Sequence, residues 1–497
     1  MTYSELWSDI LAVSRGLAAL GVRQFDRIGI YLEKRIETVV SIFASSVARA
    51  VFVPINPLMR PRQVQHILTD CDVRVLVTSS ERLSGLRSLL DECKALEYVI
   101  VVGDDVHPCG GRKEVVSWTE VARDSGHVGH DPGVDLDMAA ILYTSGSTGK
   151  PKGVVLSHRN LVAGAESVSS YLHNNADDVI LAVLPLSFDA GLSQLTTGFC
   201  VGAHAVLMNH LMPGDVVRLC GKHGVTGLTC VPPLWIQLAD QVWPDEAVEK
   251  LRYFASTGGR MPKATLERLR ALFPHAAPYL MYGLTEAFRS TYLDPSEVDN
   301  RPSSIGKAVP NAEILVVRPD GMECEPGEEG ELVHRGPLVA LGYWNDPERT
   351  AMRFRPAPGR PGGLSGEEIA VWSGDTVVRD SEGFLYFVGR KDDMIKSSGY
   401  RVSPTEIEEA AYDTGLVGNA VAVGVEDSRL GQRIGLGVTP VAEAELDVDV
   451  LIKLMAGQLP RYMVPKRVVI YDELPRMPNG KFDRGAVRRR LAGGESA

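Results

Sequence analysis

The amino-acid sequence predicts an α/β fold with a large layered N-terminal part and a small α+β unit at the C-terminus. Three observations predict it. The chain has 497 residues, more than a single hydrophobic core usually organises. Short apolar runs alternate with helical patterns through the N-terminal part, which favours helices layered on a sheet. Beyond residue 303 the runs are shorter and are cut by Gly and Pro, and a new alternation begins after residue 390.

The N-terminal part begins with a helix and then alternates strand and helix. Leu6, Ile10, Val13, Leu17 and Leu20 keep helical spacing. A second helix is predicted over 37–49, and strands are predicted over 27–32, 51–55, 73–77, 99–102, 139–143, 179–184, 205–207 and 227–230. Because these apolar runs are short and are followed by turn residues or helical segments, we expect a largely parallel sheet covered on both faces.

Two smaller units follow. Runs over 313–317, 330–334 and 383–388 predict the short strands of a β-rich subdomain, which ends at Gly389-Arg-Lys-Asp-Asp393. Helical patterns over 404–412 and 450–458 and strand patterns over 420–425 and 466–471 then predict an independent α+β domain. We therefore expect one domain over residues 1–390 and a second over residues 391–497.

Composition excludes several classes of protein. Apolar residues make up 44% and charged residues 23% of the chain, which is typical of a globular protein. The 52 basic and 63 acidic residues give a net charge of −11 with no basic stripe, which argues against a nucleic-acid partner. The seven cysteines are at least ten residues apart, so neither a zinc site nor a disulfide framework is predicted. No apolar run is long enough to span a membrane and no secretory signal is present, so we expect a cytoplasmic protein.

A loop rich in glycine and hydroxyl groups follows the apolar run at 139–143. It reads Tyr143-Thr-Ser-Gly-Ser-Thr-Gly-Lys-Pro-Lys-Gly153, and its backbone N–H groups and side chains can surround an oligophosphate. Its spacing is not that of a Walker loop, because Lys150 is followed by Pro151 where a magnesium-binding Ser or Thr should stand. A flexible linker would not need two lysines beside a proline. The predicted phosphate-binding residues are Thr144, Ser145, Gly146, Ser147, Thr148, Gly149, Lys150 and Lys152.

This loop resembles the phosphate-binding signature of the adenylate-forming superfamily, which includes acyl- and aryl-CoA synthetases, adenylation domains of nonribosomal synthesis and firefly luciferase. Later motifs of that superfamily have counterparts here in the same order: Tyr282-Gly-Leu-Thr-Glu286, Trp372-Ser-Gly-Asp375, Gly389-Arg-Lys-Asp-Asp-Met-Ile-Lys396, Ser398-Gly-Tyr-Arg401 and Pro478-Asn-Gly-Lys481. Each match is weak alone, but together they cover nearly the whole chain. The resemblance implies two doubly wound αβ subdomains plus a distorted β-barrel, followed by a small mobile C-terminal domain.

Side-chain chemistry agrees with the nucleotide site that the resemblance implies. Tyr282 offers an aromatic face to adenine, Thr285 a hydroxyl to the α-phosphate, and Glu286 an oxygen ligand to the Mg²⁺ that accompanies ATP. Asp375 can accept hydrogen bonds from ribose hydroxyls, and Arg390 can donate to the same sugar. Gly258 and Gly259 would let the backbone approach the nucleotide and the carboxylate closely. Gly283, within the Tyr282 motif, is also a predicted nucleotide-binding residue.

The C-terminal motifs imply two poses of the small domain. Adenylation moves negative charge onto the α-phosphate, and Lys481 resembles the catalytic lysine that would meet this charge, with Thr148 and Glu286 as the other catalytic residues. Asp392 resembles the hinge residue of the superfamily. After rotation about it, Gly399 would leave room for a pantetheine arm, with Tyr400 and Arg401 beside it on the thiol side.

The acid pocket is predicted from two stretches. Leu186-Ser-Phe-Asp189 and Cys230-Val-Pro-Pro-Leu-Trp235 stand where relatives shape specificity, and the second is apolar, which suits a hydrophobic acyl or terpenoid-like chain. The pocket residues are expected to be Phe188, Asp189, Trp235, Thr257 and Gly258. In amino-acid-activating relatives an Asp in the corresponding motif pairs with the substrate ammonium, whereas Asp189 could equally cap a helix.

These observations predict an ATP- and Mg²⁺-dependent acid–thiol ligase. It would form an acyl-AMP and then transfer the acyl group to coenzyme A or to the phosphopantetheine of a separate acyl carrier protein. Alternatives are an amino-acid adenylating enzyme that loads a carrier, an enzyme of one half-reaction, and a non-catalytic binder, against which Lys481, Glu286 and Thr148 argue. The only predicted metal ligand is Glu286, and a homodimer stays open.

Overall fold

Strands and helices alternate along the first 280 residues of the chain. The structure, a computed structural model, describes residues 1–103, 113–123, 133–144, 151–209, 212–359, 366–390, 394–441, 446–475 and 482–493. The strands are β1 Arg27–Tyr31, β2 Val51–Pro54, β3 Val73–Ser79, β4 Tyr98–Val102, β5 Glu114–Ser117, β6 Met138–Thr144, β7 Lys152–Ser157, β8 Val179–Ala182, β9 His204–Leu207, β10 Gly227–Cys230, β11 Tyr253–Ser256, β12 Ala277–Tyr282, β13 Thr291–Leu293, β14 Lys307–Ala308, β15 Glu313–Val317, β16 Glu329–Arg335, β17 Gly342–Tyr343, β18 Phe354–Pro356, β19 Ile369–Arg379, β20 Leu385–Arg390, β21 Ile395–Ser397, β22 Tyr400–Val402, β23 Val417–Asp427, β24 Gly431–Pro440 and β25 Arg467–Ile470.

The helices begin at residues whose side chains or geometry favour a start. Thr2 forms a capping box with Glu5 at the first helix, and Asp447 caps the helix that follows it. The α-helices are α1 Tyr3–Ala19, α2 Ile36–Val47, α3 Pro61–Asp70, α4 Ser80–Leu86, α5 Trp118–Val121, α6 His158–Tyr171, α7 Asp189–Cys200, α8 Pro213–His223, α9 Pro232–Ala239, α10 Asp245–Lys250, α11 Lys263–Leu272, α12 Pro347–Arg353, α13 Pro404–Tyr412, α14 Val448–Gln458 and α15 Arg484–Ala492.

Two mainly parallel sheets form the large part of the molecule. The first has eight strands in the order β17-β7-β6-β2-β1-β3-β4-β5, and the second has seven in the order β14-β13-β12-β11-β10-β8-β9. Antiparallel pairs occur only at one edge of each described sheet. All four residues of β2 are buried, as expected for a strand covered on both faces. The α/β prediction is therefore confirmed.

The remaining strands form two smaller sheets. Strands β15, β16, β18, β19 and β20 make an antiparallel five-stranded sheet, which is the β-rich unit expected after residue 303. Strands β21 to β25 form a second five-stranded sheet that packs with α13 to α15 around its own cores. Among the described residues, no helix has both the length and the apolar character needed to cross a bilayer.

The C-terminal unit contacts the N-terminal part through α3. The guanidinium of Arg60 donates to the carbonyl oxygens of Leu459 and Ala456, at 3.3 and 2.9 Å. Gln63 Nε2 donates to Glu406 Oε1 at 2.6 Å. These contacts join the N-terminal end of α3 to α13 and to the C-terminal end of α14.

Candidate active site

A cavity of about 1620 Å³ lies where the two large sheets, the β-rich unit and the C-terminal unit meet. Thr144 of β6, Ser256 of β11 and Tyr282 of β12 stand at the carboxyl ends of their strands and line it. Ligands of open α/β sheets bind outside such strand ends. The structure brings these sequence-predicted residues to its wall: Thr144, Phe188, Asp189, Thr257, Gly258, Gly259, Tyr282, Gly283, Thr285, Asp375, Gly399, Tyr400 and Arg401.

Glu286 and Lys152 form a buried ion pair beside the cavity. Glu286 Oε1 accepts hydrogen bonds from Lys152 Nζ at 3.0 Å and from the Tyr343 hydroxyl at 2.7 Å. Lys152 Nζ also lies 3.9 Å from the centroid of the Tyr343 ring. Burial would raise the pKa of Glu286, but the charges of Lys152 and Arg401 and the two hydrogen bonds hold it well below its usual range. Glu286 is therefore an ionised carboxylate in a desolvated place.

Tyr282 and Asp375 are joined across two sheets. The Tyr282 hydroxyl donates to Asp375 Oδ2 at 2.5 Å, and the backbone N–H of Asp375 donates to Ser373 Oγ at 3.1 Å. The backbone of Asp375 is the register partner of Arg390 in the β19–β20 pair. The two strands therefore bring Asp375 and the backbone of Arg390 to the same place.

Thr144 marks the point where the predicted phosphate loop begins. Its Oγ1 is buried and has no hydrogen-bond partner among the described residues, and it faces the cavity. Such an orphaned hydroxyl is available to a ligand. Several predicted residues lie outside the described residues: Ser145, Gly146, Ser147, Thr148, Gly149, Lys150, Asp392 and Lys481, together with the side chain of Arg390.

The loop before β22 closes one side of the cavity. A Cβ atom on Gly399, whose φ is +81°, would stand 2.7 Å from Val231 Cγ2, so only glycine fits there. The Tyr400 ring meets the Phe188 ring edge to face at 5.1 Å and stacks on Tyr462 at 3.7 Å between centroids. Burial raises the pKa of Tyr400 to about 12, so its hydroxyl stays neutral. The predicted thiol-side residues thus stand against the predicted acid pocket.

Asp189 is the first residue of α7 and is paired with an arginine of the same chain. Arg289 Nη1 donates to Asp189 Oδ2 at 3.3 Å, and Thr285 Oγ1 donates to Asp189 Oδ1 at 3.5 Å. Both Asp189 and Arg289 line the cavity. Burial raises the pKa of Asp189, and Arg289 opposes this rise. The carboxylate is therefore already partnered by a cation.

The structure corrects one predicted pocket residue. The Trp235 indole is fully buried, packs on Phe254, and donates from Nε1 to the Ala255 carbonyl at 2.9 Å. It belongs to the core behind α9, whereas Ile236 and Gln237 of the same helix line the cavity. An apolar run at a helix start does not reveal which face turns to the core.

Two protein-family models match this chain. The model described as AMP-binding enzyme matches residues 1–344, and the model of the AMP-binding enzyme C-terminal domain matches residues 406–481. The chain belongs to the AMP-binding enzyme family. The predicted superfamily, fold and enzyme class, an ATP-dependent acid–thiol ligase, are confirmed for this AMP-binding enzyme.

Several relatives of this AMP-binding enzyme match along its whole length. A feruloyl-CoA synthase of an Amycolatopsis species is 30% identical over 99% of this chain and 94% of its own. An indoleacetate–CoA ligase of Aromatoleum aromaticum is 29% identical over 99% and 93%. Among solved structures, a double mutant of o-succinylbenzoate CoA synthetase from Bacillus subtilis, bound with the product analogue OSB-NCoA, is 26% identical. It has a TM-score of 0.84, with 99% of this chain and 94% of the other covered.

Two residues of the AMP-binding enzyme's site, Tyr343 and Arg289, were not predicted from the sequence. Tyr343 contacts Glu286 from 57 residues away, and no local spacing signals that contact. Arg289 follows Glu286 by three positions, but its contact with Asp189 joins residues 100 positions apart, and no local spacing signals it. Within the described ranges, no group of three or more His, Cys, Asp and Glu side chains is arranged to hold a metal ion.

Proposed function

We propose that this enzyme converts an apolar carboxylic acid into its coenzyme A thioester in two steps at one cavity. The proposal rests on the observation that residues predicted to bind the nucleotide and residues predicted to lie on the thiol side line the same cavity. Thr285, Tyr282 and Asp375 line one part of it, and Gly399 and Arg401 line another. A binder of nucleotide alone would have no need for the second set.

In the first step an oxygen of the acid attacks the α-phosphorus of ATP. The new bond joins that oxygen to phosphorus, the bond between the α-phosphorus and the bridging oxygen breaks, and pyrophosphate leaves. Asp375 and Arg390 would hold the ribose, Tyr282 would cover adenine, and Thr285 with the 144–150 loop would hold phosphates. Lys481 would supply the cation beside the α-phosphate in a different pose of the C-terminal unit.

In the second step a thiol attacks the carbonyl carbon of the acyl-AMP. The carbon–sulfur bond forms, the carbon–oxygen bond to AMP breaks, and the thiol proton is lost to solvent. The pose of this structure suits that step, because the loop with Gly399 stands against Val231 and Phe188 contacts Tyr400. We propose the boundary between the two moving domains at residues 390 and 391, with the hinge near Asp392.

The residues present fit a magnesium ion. Mg²⁺ in nucleotide sites is bound by one or two carboxylates together with phosphate oxygens, and Glu286 is a buried carboxylate kept ionised by its neighbours. Glu286 would hold the ion, and the ion would neutralise charge on the phosphates. The neighbouring Lys152 keeps the carboxylate oriented.

An apolar acid suits the lining better than an amino acid. Leu184, Leu186, Leu234, Ile236 and Leu280 line the cavity. The carboxylate that could bind an ammonium, Asp189, already has Arg289 as its partner. Coenzyme A is the proposed acceptor, with the phosphopantetheine of a separate carrier protein as the alternative.

The test is ATP–pyrophosphate exchange with fatty, aryl, terpenoid and amino acids, followed by thioester formation with coenzyme A. We expect exchange with apolar acids and discharge to coenzyme A. Lys481→Ala should abolish exchange and spare thioester formation from supplied acyl-AMP. Exchange confined to amino acids would overturn the substrate class, and equal loss of both steps in the variant would overturn the two-pose model. Binding of ATP and acid without exchange would favour a non-catalytic binder.

A further inference from the structure

Asp189 and Arg289 are brought together from two different elements at the acid side of the cavity. Asp189 begins α7, and Arg289 lies in the turn between β12 and β13. Only 16% of the Asp189 side chain and 3% of the Arg289 side chain are exposed. Asp189 accepts a hydrogen bond from Thr285, the residue that we propose to contact the α-phosphate. The pair therefore lies where the reacting carboxyl group of the acid must arrive.

An unpaired Asp189 carboxylate at this place would repel the carboxylate of the substrate. The substrate is itself an anion during the first step, and two like charges in a desolvated site repel strongly. The negative charge of Glu286 likewise disfavours a second negative charge on Asp189 and raises the pKa of that carboxyl. Arg289 supplies the compensating positive charge from within the chain, so the pair is neutral as a unit.

The contact between the two residues is loose. The Nη1–Oδ2 distance of 3.3 Å is longer than an ordinary charge-assisted hydrogen bond. Arg289 Nε is buried and has no hydrogen-bond partner among the described residues. The place that Arg289 fills next to Asp189 is one that a cation of a ligand could otherwise occupy.

We infer that Arg289 is a specificity-determining residue: as a built-in cation beside Asp189, it makes the site accept acids that carry no positive charge near the carboxyl group and reject α-amino acids. This inference rests on the proposed function, because it assumes that the cavity binds the acid. Arg289 acts by occupying the position and by cancelling the charge of Asp189. It therefore decides which of two acids with the same carbon skeleton is activated.

The test uses acid pairs that differ only by an α-ammonium group: 3-phenylpropanoate with phenylalanine, and octanoate with 2-aminooctanoate. ATP–pyrophosphate exchange gives kcat/KM for each member. Wild type should prefer the member without the ammonium. Arg289→Met should move the ratio at least tenfold toward the amino acid, because Asp189 is then unpaired. Asp189→Asn should move it the opposite way, because a lone arginine repels an ammonium.

Two further variants separate specificity from folding. Arg289→Met with Asp189→Asn removes both charges and should return the ratio to within threefold of wild type. Arg260→Met removes an exposed arginine that lines the same cavity, and it should leave the ratio unchanged. If Arg289→Met does not fold, as a thermal melt would show, the Asp189→Asn and double variants still carry the prediction.

The outcomes are distinguishable. A merely structural role of Arg289 would lower kcat/KM equally for both members of a pair, and this result would overturn the inference. A wild type that prefers the amino acids would overturn it too. If wild type shows no exchange with any acid, the proposed function itself fails, and the inference fails with it.

Discussion

The cavity has two walls that are held in different ways. On the wall formed by the N-terminal part, Glu286 is fixed by an ion pair with Lys152 and a second hydrogen bond from Tyr343, all buried. On the wall formed by the C-terminal unit, the contacts across the boundary include hydrogen bonds from Arg60 and Gln63, the close approach of Gly399 to Val231 and the ring contact of Tyr400 with Phe188. A wall held by a buried network cannot move without a large cost, whereas the other can separate.

Because the two walls are held in different ways, the two half-reactions should be separable by mutation. Changes to the N-terminal wall should damage the first step, which needs fixed groups around the phosphates. Changes to the contacts of the C-terminal wall should damage the second step alone, because they alter only how often this pose forms.

The largest effect is expected for Glu286→Gln. The substitution removes the proposed Mg²⁺ ligand and leaves Lys152 as a buried cation without its counter-charge, so exchange should fall at least 100-fold. ATP–pyrophosphate exchange measures the loss, and a thermal melt reports the accompanying loss of stability. As control, Asp135→Asn breaks an exposed pair with Arg159, and it should change neither quantity. Exchange within threefold of wild type would show that the fixed wall is not where the first step occurs.

A tenfold or larger loss of the second step alone is expected for Gly399→Ala. The new Cβ would stand 2.7 Å from Val231 Cγ2, so this pose could not close, while exchange should stay within twofold. Thioester formation from supplied acyl-AMP is the measurement.

A matched control for Gly399→Ala exists in the same domain. Gly415 has a similar φ of +71°, and its Cβ would meet nothing within 4 Å. Gly415→Ala imposes the same backbone strain without the clash and should spare the second step. Equal losses in the two variants would attribute the effect to strain rather than to closure.

The motifs predicted which residues line the cavity better than which contacts those residues make, because a motif gives the residue type and not the orientation of its side chain. Tyr282 and Asp375 came from separate motifs, and the structure joins them by a hydrogen bond. Helix α13 has the bounds that the pattern gave, since Ser403 and Pro404 mark its start. Tyr343 and the partnership of Asp189 with Arg289 could not be derived, because each depends on contacts between elements about 60 to 100 residues apart.

A moderate, pH-dependent effect is expected for Glu406→Gln. Burial at the contact with α3 raises the pKa of Glu406 to about 7, while the hydrogen bond from Gln63 opposes the rise. A carboxyl whose pKa is raised in the docked pose holds its proton there, so docking is strongest below the unperturbed pKa. Docking then weakens by at most about 1.4 kcal/mol per pH unit as the pH rises toward 7.

Glutamine stays neutral at every pH. The ratio of second-step rates, Glu406→Gln over wild type, should therefore rise between about pH 5 and pH 7 and become constant above it. Taking the ratio cancels ionisation of the thiol itself. Asp413→Asn changes an exposed residue at the C-terminal end of the same helix and should give a flat ratio. A flat ratio for Glu406→Gln as well would mean that Glu406 does not control docking.

The smallest effect on activity is expected for Trp235→Phe, because this residue packs in the core behind the N-terminal wall. The substitution removes the donor to the buried Ala255 carbonyl and should cost about 1–3 kcal/mol of stability. Because the indole faces the core and not the cavity, the relative kcat/KM values for short and long acids should stay within twofold of wild type. Chemical denaturation measures the first quantity and exchange with butanoate and octanoate the second. A changed preference for chain length would show that Trp235 contributes to the acid pocket. It would also show that the N-terminal wall changes its packing when the acid binds.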